Sequence, residues 1–202
     1  MKTLILWFAA ILLGLAVGIV SAFWMAGWLT GDMPFNRTSV AIEGWESNWA
    51  IGSDAADPYT RAYIARRGLL AMNKSESVYF LRETDSSGEP LREACDYVME
   101  GGDMPSRWWS VTLYASDDFL APNQDDAHSV DASDFALRGG WRAVIQSAPP
   151  GDDVFWISSR NAGRFNLALR LYSPDDAVLE DVHRAVLPPE IRRTGCRAEE
   201  GA

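Results

Sequence analysis

Six side chains of this chain are of the types that recognise a ligand: Trp108, Tyr114, Asn123, His128, Arg170 and Tyr172. Four of them lie in two segments of strict alternation. In 108–114, Trp108, Ser110, Thr112 and Tyr114 alternate with Trp109, Val111 and Leu113. In 164–172, Asn166, Ala168, Arg170 and Tyr172 alternate with Phe165, Leu167, Leu169 and Leu171. Successive strand side chains point to opposite faces, so each segment presents one apolar and one polar face. Aromatic rings beside a guanidinium and an amide suit a sugar or a carboxylate. The structural alternative is that this face packs under a second layer with Arg170 paired to one of the many carboxylates.

Asn123 and His128 belong to a different stretch, 123–134, in which Asp125, Asp126, Asp131 and Asp134 surround the imidazole. Carboxylates and an imidazole can hold a divalent cation, but the spacing lacks the central Gly and terminal Glu of a calcium loop. Solvated acids in a loop are the simpler reading, and no metal is assigned. The second histidine, His183, is flanked by Asp and Arg and reads as a surface residue. No GxSxG elbow, HExxH, CxxC, P-loop or GxGxxG occurs, so no cofactor is assigned. Cys95 and Cys196 stand in no metal spacing. In an oxidising compartment they would form a disulfide that fastens the C-terminal tail to a mid-chain strand; in a reducing one they would remain two thiols.

The compartment is indicated by the N-terminus. Between Lys2 and Asp32 no residue is charged, and the run from Leu4 to Leu29 is dominated by Leu, Ile, Ala, Val, Phe and Trp. As a helix it would be roughly 40 Å long, enough to cross a hydrocarbon core of roughly 30 Å. A signal peptide cleaved after Ala22 is the rival, since Val20, Ser21 and Ala22 are small enough for the peptidase. The apolar run continues through Phe23, Trp24 and Trp28, however, which fits an uncleaved anchor with indoles near the headgroup zone. Lys2 before the span and Asp32 after it argue for the N-terminus inside and the remainder outside. Gly14 and Gly18 form a GxxxG pair, a spacing that lets two such helices approach but also occurs by chance.

From Asp32 onward, 17 Lys and Arg face 28 Asp and Glu, a net charge of −11. Such a surface repels phosphate backbones, which excludes nucleic acid as a partner. The sequence divides into an anchor at 1–31, a tether and first strand at 32–44, and one domain at 45–202. Asp57 and Pro58 open a helix over 59–72, stopped at Asn73. Strands are expected at 40–45, 77–82, 94–99, 108–114, 141–146, 154–158 and 164–172. The turn-forming residues 85–90 read as joining 77–82 and 94–99 into a hairpin. Residues 115–134 carry too few apolar side chains for an element, and 175–184 reads as a short helical turn. Short strands separated by turns, with one early helix, predict a mainly β, antiparallel sandwich or barrel, rather than an α/β sheet, behind a transmembrane helix.

A set of short segments resembles domain-of-unknown-function family 1214. They are Gly52 with Asp57-Pro58-Tyr59-Thr60-Arg61-Ala62-Tyr63, Pro105 with Arg107-Trp108-Trp109-Ser110-Val111-Thr112-Leu113-Tyr114, Asp118-Phe119-Leu120 with Asn123, Trp156, and Phe165-Asn166-Leu167 with Leu169-Arg170-Leu171-Tyr172. The resemblance covers 45–196 and implies a jelly-roll-like sandwich in a short, membrane-anchored bacterial protein. It implies no established reaction. In the family an Arg-Tyr-Ser triplet commonly follows the Asn by four residues, whereas Ala127-His128-Ser129 stands there in this chain. The resulting expectation is a single-pass protein of the bacterial inner membrane with a periplasmic, non-catalytic binding or scaffold domain, its partner an envelope protein or a glycan. The alternative is a hydrolase-like envelope enzyme with its site near Asn123, His128 and Arg170.

Overall fold

The computed structural model describes residues 2–30, 39–53, 56–66, 72–135, 139–151 and 153–197. The chain forms two compact units, one of Met1–Thr38 with Trp49–Ala71 and one of Ser39–Asn48 with Met72–Ala202. In the first, α1 spans Lys2–Met25, and none of its residues is buried. Its exposed side chains are Leu, Ile, Phe, Val and Trp on every side. A helix apolar all round belongs in an apolar medium or core, and α1 is long and apolar enough to cross a membrane. It ends short of Leu29 because Gly27 takes φ 70°, a left-handed conformation that turns the chain. The Gly27 and Trp28 amides then donate back to the Trp24 and Phe23 carbonyls at 3.0 and 2.9 Å, closing the helix end. The second helix, α2, spans Pro58–Arg66. The Asp57 carboxylate caps it, accepting from the Tyr59 and Thr60 amides at 2.8 and 3.1 Å and from the Thr60 hydroxyl at 2.7 Å. The hydroxyl bond is the largest of the effects that hold the Asp57 carboxyl below its ordinary pKa. The expected tether at 31–37 and the last turn of the expected helix, 67–71, lie outside the described residues.

The second unit consists of two sheets. Its strands are β1 (Ser39–Ile42), β2 (Trp45–Asn48), β3 (Ser77–Arg82), β4 (Cys95–Gly101), β5 (Ser106–Ala115), β6 (Ser129–Asp131), β7 (Trp141–Gln146), β8 (Trp156–Ser158), β9 (Phe165–Pro174) and β10 (Glu190–Cys196). One sheet has the order β1-β2-β3-β9-β5-β6 and the other β10-β4-β7-β8. Neighbours are antiparallel except β7 and β8, which run parallel. The sheets face each other across a core of Phe80, Val111, Leu113, Leu167, Leu169 and Leu171 on one side and Tyr97, Met99, Ala143, Ile145, Ile157 and Ile191 on the other. Trp109 of β5 stacks on Trp141 of β7 with ring centroids 4.6 Å apart, and Tyr97 of β4 meets Phe165 of β9 edge-on at 6.0 Å. Gly101 makes room for this packing: a Cβ there would lie 2.6 Å from the Trp141 ring. Between β9 and β10 run two short helices, α3 (Asp176–Glu180) and α4 (Val182–Ala185).

The alternation in 108–114 and 164–172 gives β5 and β9, paired to each other with the expected inward faces. Four expectations are corrected. The first strand is two, β1 and β2, joined by Glu43 and Gly44 at φ 48° and 80°, the left-handed pair that a tight hairpin turn requires. The turn at 85–90 forms, with a Thr84–Pro90 bridge, but β3 and β4 are not a hairpin. β3 pairs with β2 and β9 while β4 pairs with β7 and β10, so the chain crosses between sheets after the turn. Alternation shows which way a strand faces and is silent on its neighbour. Within 115–134 a short strand, β6, forms on one buried apolar residue, Val130, paired opposite Val111. The tail is itself a strand, β10, and its last residue pairs in register with Cys95. The Cys95–Cys196 disulfide closes this edge pair across a sequence separation of 101.

Candidate functional site

The outward parity of β5 and β9 collects the aromatic and cationic candidates on one face of the six-stranded sheet. Trp108 lies opposite Tyr172, Ser110 opposite Arg170 and Tyr114 opposite Asn166, while Tyr79 of β3 lies opposite Arg170 on the other side. The Trp108 and Tyr172 rings touch, with centroids 5.1 Å apart, and the Trp108 indole donates to the Ser133 hydroxyl at 3.1 Å. The half-buried Arg170 guanidinium donates to Thr112 Oγ1 at 3.1 Å and to the Tyr114 hydroxyl at 2.7 Å. It also stands 5.3 Å from the Tyr114 ring centroid and 5.9 Å from that of Tyr79. Among the described residues no carboxylate pairs with it. Two neutral hydroxyls and two ring faces orient the cation without neutralising it, which leaves its charge for a carboxylate or a polarised hydroxyl.

Asn123 and His128 lie apart from this group. Asn123 Nδ2 donates to the Arg160 carbonyl at 3.1 Å and its oxygen accepts from the Asp125 amide, within the loops that precede β9. Asp125 in turn accepts from the Ser158 hydroxyl at 2.5 Å and pairs with Arg160 at 3.0 Å. The carbonyl of His128 accepts from the Leu113 amide, which sets it one step before β6 and opposite an inward-facing residue. Its Nδ1 is buried with no hydrogen-bond partner among the described residues. Among the described residues, neither Asn123 nor His128 is hydrogen-bonded to Arg170. The acidic loop forms local turns, with the Asp131 side chain accepting from the Ser133 amide and that of Asp134 from the Asp131 amide. Among the described residues no three His, Cys, Asp or Glu side chains gather as a metal site.

A cleft that the sequence reading did not anticipate opens at the end of β3, with a volume of about 600 Å³. Its walls are the β1–β2 turn, residues 84–88 and the approach to β10. Arg82 lines it with only 5% of its surface exposed. Val78, Phe80 and Arg82 share the inward face of β3, so a cation stands where the alternation calls for a core residue. The Arg82 Nε donates to the Thr84 carbonyl at 2.7 Å and Nη1 donates to the Glu43 carbonyl. Burial pulls its pKa below the ordinary arginine value, against the opposing fields of Asp85, Glu43 and Glu190. Asp85, 1% exposed, is engaged elsewhere. One oxygen accepts from the Ser87 amide and hydroxyl and the Glu89 amide, and the other from Arg193 Nε and Nη2 at 2.8 and 2.5 Å. Burial pushes the Asp85 carboxyl upward, but these bonds outweigh it and hold the pKa below the usual value. The inward Arg of 77–82 was the available signal for this site.

The family model described as "Protein of unknown function (DUF1214)" matches residues 76–176. The chain belongs to this family. The match runs from the start of β3 to the end of β9, so it contains Arg82 and the Arg170 face but ends before β10 and Cys196. Among solved structures, the chain is similar to the VPA0106 protein from Vibrio parahaemolyticus, at 24% identity and a TM-score of 0.55 over 68% of this chain. It also matches an uncharacterised protein from Burkholderia cenocepacia at 14% identity and a TM-score of 0.41 over 58% of this chain. The matched parts are 35% and 29% of those chains, so this member spans about a third of the length of its solved relatives. The Vibrio likeness concerns the fold alone. No curated protein matches the sequence.

Proposed function

We propose that this DUF1214 member is a non-catalytic binding module of the bacterial cell envelope. In this reading α1 anchors it in the inner membrane, and the jelly-roll-like sandwich lies on the periplasmic side. The observation that carries the binding role is Arg170, a guanidinium held by the Thr112 and Tyr114 hydroxyls beside the Trp108–Tyr172 ring pair, with no carboxylate partner among the described residues. A sugar carboxylate on a glycan, or an acidic side chain of an envelope protein, would complete that pairing. The disulfide supports an oxidising compartment. An enzyme centred on Asn123, His128 and Arg170 would need the three to act on one substrate, and among the described residues no hydrogen bond joins the first two to the third.

Two experiments test this reading. Full-length protein in detergent is titrated with an acidic and a neutral oligosaccharide of equal length; selective binding of the acidic one, lost in Arg170→Ala, is expected. Equal affinity for both, or unchanged affinity in the variant, refutes the site. For the anchor, carbonate washing should leave the protein in the membrane fraction, and protease should cleave the sandwich only once the outer membrane is opened. A mature N-terminus at Phe23 with release into the soluble fraction overturns it.

A further inference from the structure

The cleft at Arg82 lies on the opposite side of the six-stranded sheet from Arg170, and its chemistry is that of a separate site. Arg82 is a buried guanidinium with no ion pair among the described residues, and two carbonyl acceptors use only two of its five N–H donors. The buried carboxylate whose field reaches it, Asp85, is occupied by Arg193. Gly44, at φ 80°, stands against the guanidinium: a Cβ there would come 3.0 to 3.2 Å from Cζ, Nη1 and Nη2. The residue covering the cation is thus the smallest available, and Arg82 lines the cleft.

An unpaired buried guanidinium favours a carboxylate or phosphate. The rim selects between them. Glu43 and Glu190 are both exposed wall residues of the cleft, and the fields of both reach Arg82; Glu190 also stands 3.8 Å from Arg192 Nε, which leaves Glu43 as the rim carboxylate without an ion pair among the described residues. Two rim carboxylates repel a multiply charged anion and attract a cation, so the favoured ligand carries both signs close together. A volume of about 600 Å³ admits a small molecule or a chain end. We infer that the Arg82 cleft binds a small amino-acid-like or short-peptide zwitterion, its carboxylate on Arg82 and its ammonium at Glu43.

The test uses the full-length protein in detergent and calorimetric titration with alanyl-alanine, its N-acetyl derivative, its C-terminal amide and inorganic phosphate. The free dipeptide should bind at least about tenfold more tightly than either blocked form or phosphate, each of which forfeits a charge contact or meets the rim carboxylates. Arg82→Gln, which removes the cation, should abolish the preference over the amide. Because Arg82 also secures the β1–β2 turn, Glu43→Gln supplies the independent variant: Glu43 holds Arg82 through its backbone carbonyl, so the fold keeps that bond. That variant should bind the free and N-acetyl dipeptides nearly alike. Absence of dipeptide binding at about 10 mM, equal affinity for all four probes, or tighter binding of phosphate overturns the inference. Arg170→Ala should leave the dipeptide affinity unchanged, which separates this site from the glycan or protein site on the other face.

Discussion

Replacing Cys196 by Ser isolates what the disulfide contributes. Cys196 is exposed and pairs with Cys95 at the end of the β10–β4 ladder. The other rungs of that ladder, Ile191 with Met99, Arg192 with Val98 and Arg193 with Tyr97, do not depend on the bridge. Nor do the Arg193–Asp85 pair and the bond from the Ser86 amide to the Ile191 carbonyl. The native state therefore keeps β10 in place, and the main effect of the substitution is on the unfolded chain, which is released from a closed loop spanning a separation of 101. In the chain-entropy model a loop near that length restricts the unfolded state by about 4.7 kcal/mol. At roughly 2–4 °C per kcal/mol for a domain of this size, the unfolding midpoint should fall by about 9–19 °C. Cys95→Ser should fall further, because Cys95 is fully buried and a stranded hydroxyl adds about 1–3 kcal/mol. The assay is thermal unfolding of the full chain in detergent, followed by tryptophan fluorescence with and without reductant. A Cys196→Ser midpoint within about 2 °C of the unmodified protein refutes the entropic argument, since that shift corresponds to only about 1 kcal/mol or less. Equal midpoints for the two serine variants would show that the Cys95 site tolerates a hydroxyl.

Three further outcomes follow from the same packing. The depressed Asp85 carboxyl contributes stability that is present above its unfolded pKa of about 3.9 and is lost as pH falls through the lower folded value. Asp85→Asn should therefore flatten the acid limb of stability against pH and cost about 1–3 kcal/mol at neutral pH, measured by urea unfolding; an unchanged acid limb would remove Asp85 from that role. Gly101→Ala forces the Trp141 ring to move from 2.6 Å, at about 1–3 kcal/mol, with a shift in tryptophan emission; an unchanged midpoint and spectrum would contradict the close approach. Arg170→Ala removes two hydrogen bonds to hydroxyls that water can replace and strands no buried carboxylate, so about 1–3 kcal/mol is expected. A loss of about 3–5 kcal/mol, the signature of a broken buried ion pair, would show that Arg170 is structural.

Much of the sandwich was legible because period-two alternation is a property of the chain itself. The two ten-residue strands, β5 and β9, show it most clearly, and their polar parity was enough to put Trp108, Tyr114, Arg170 and Tyr172 on one face. The short strands were less legible. β6 depends on a single buried Val130, and β10 has only Ile191 buried, so neither has a pattern to read. The β3–β4 turn misled because its Asp-Ser-Ser-Gly chemistry does make a tight turn, after which Leu91 and Cys95 bury on the way to the other sheet.

The sequence by itself determined the local and the one-dimensional: an apolar N-terminal helix, an Asp57 cap, the faces of β5 and β9, and two cysteines with only each other to pair with. Each rests on side-chain period, charge or backbone preference within a few residues, or on a count. Only the tertiary structure decided which strands are neighbours, because hydrogen-bonding edges are chemically alike in every strand and burial selects among them collectively. That choice set His128 in register with the inward-facing Leu113, on the parity opposite to Arg170. It also brought Glu43, Arg82 and Glu190, distant in the chain, to one cleft, where an inward arginine has a charge that its own sheet does not pair.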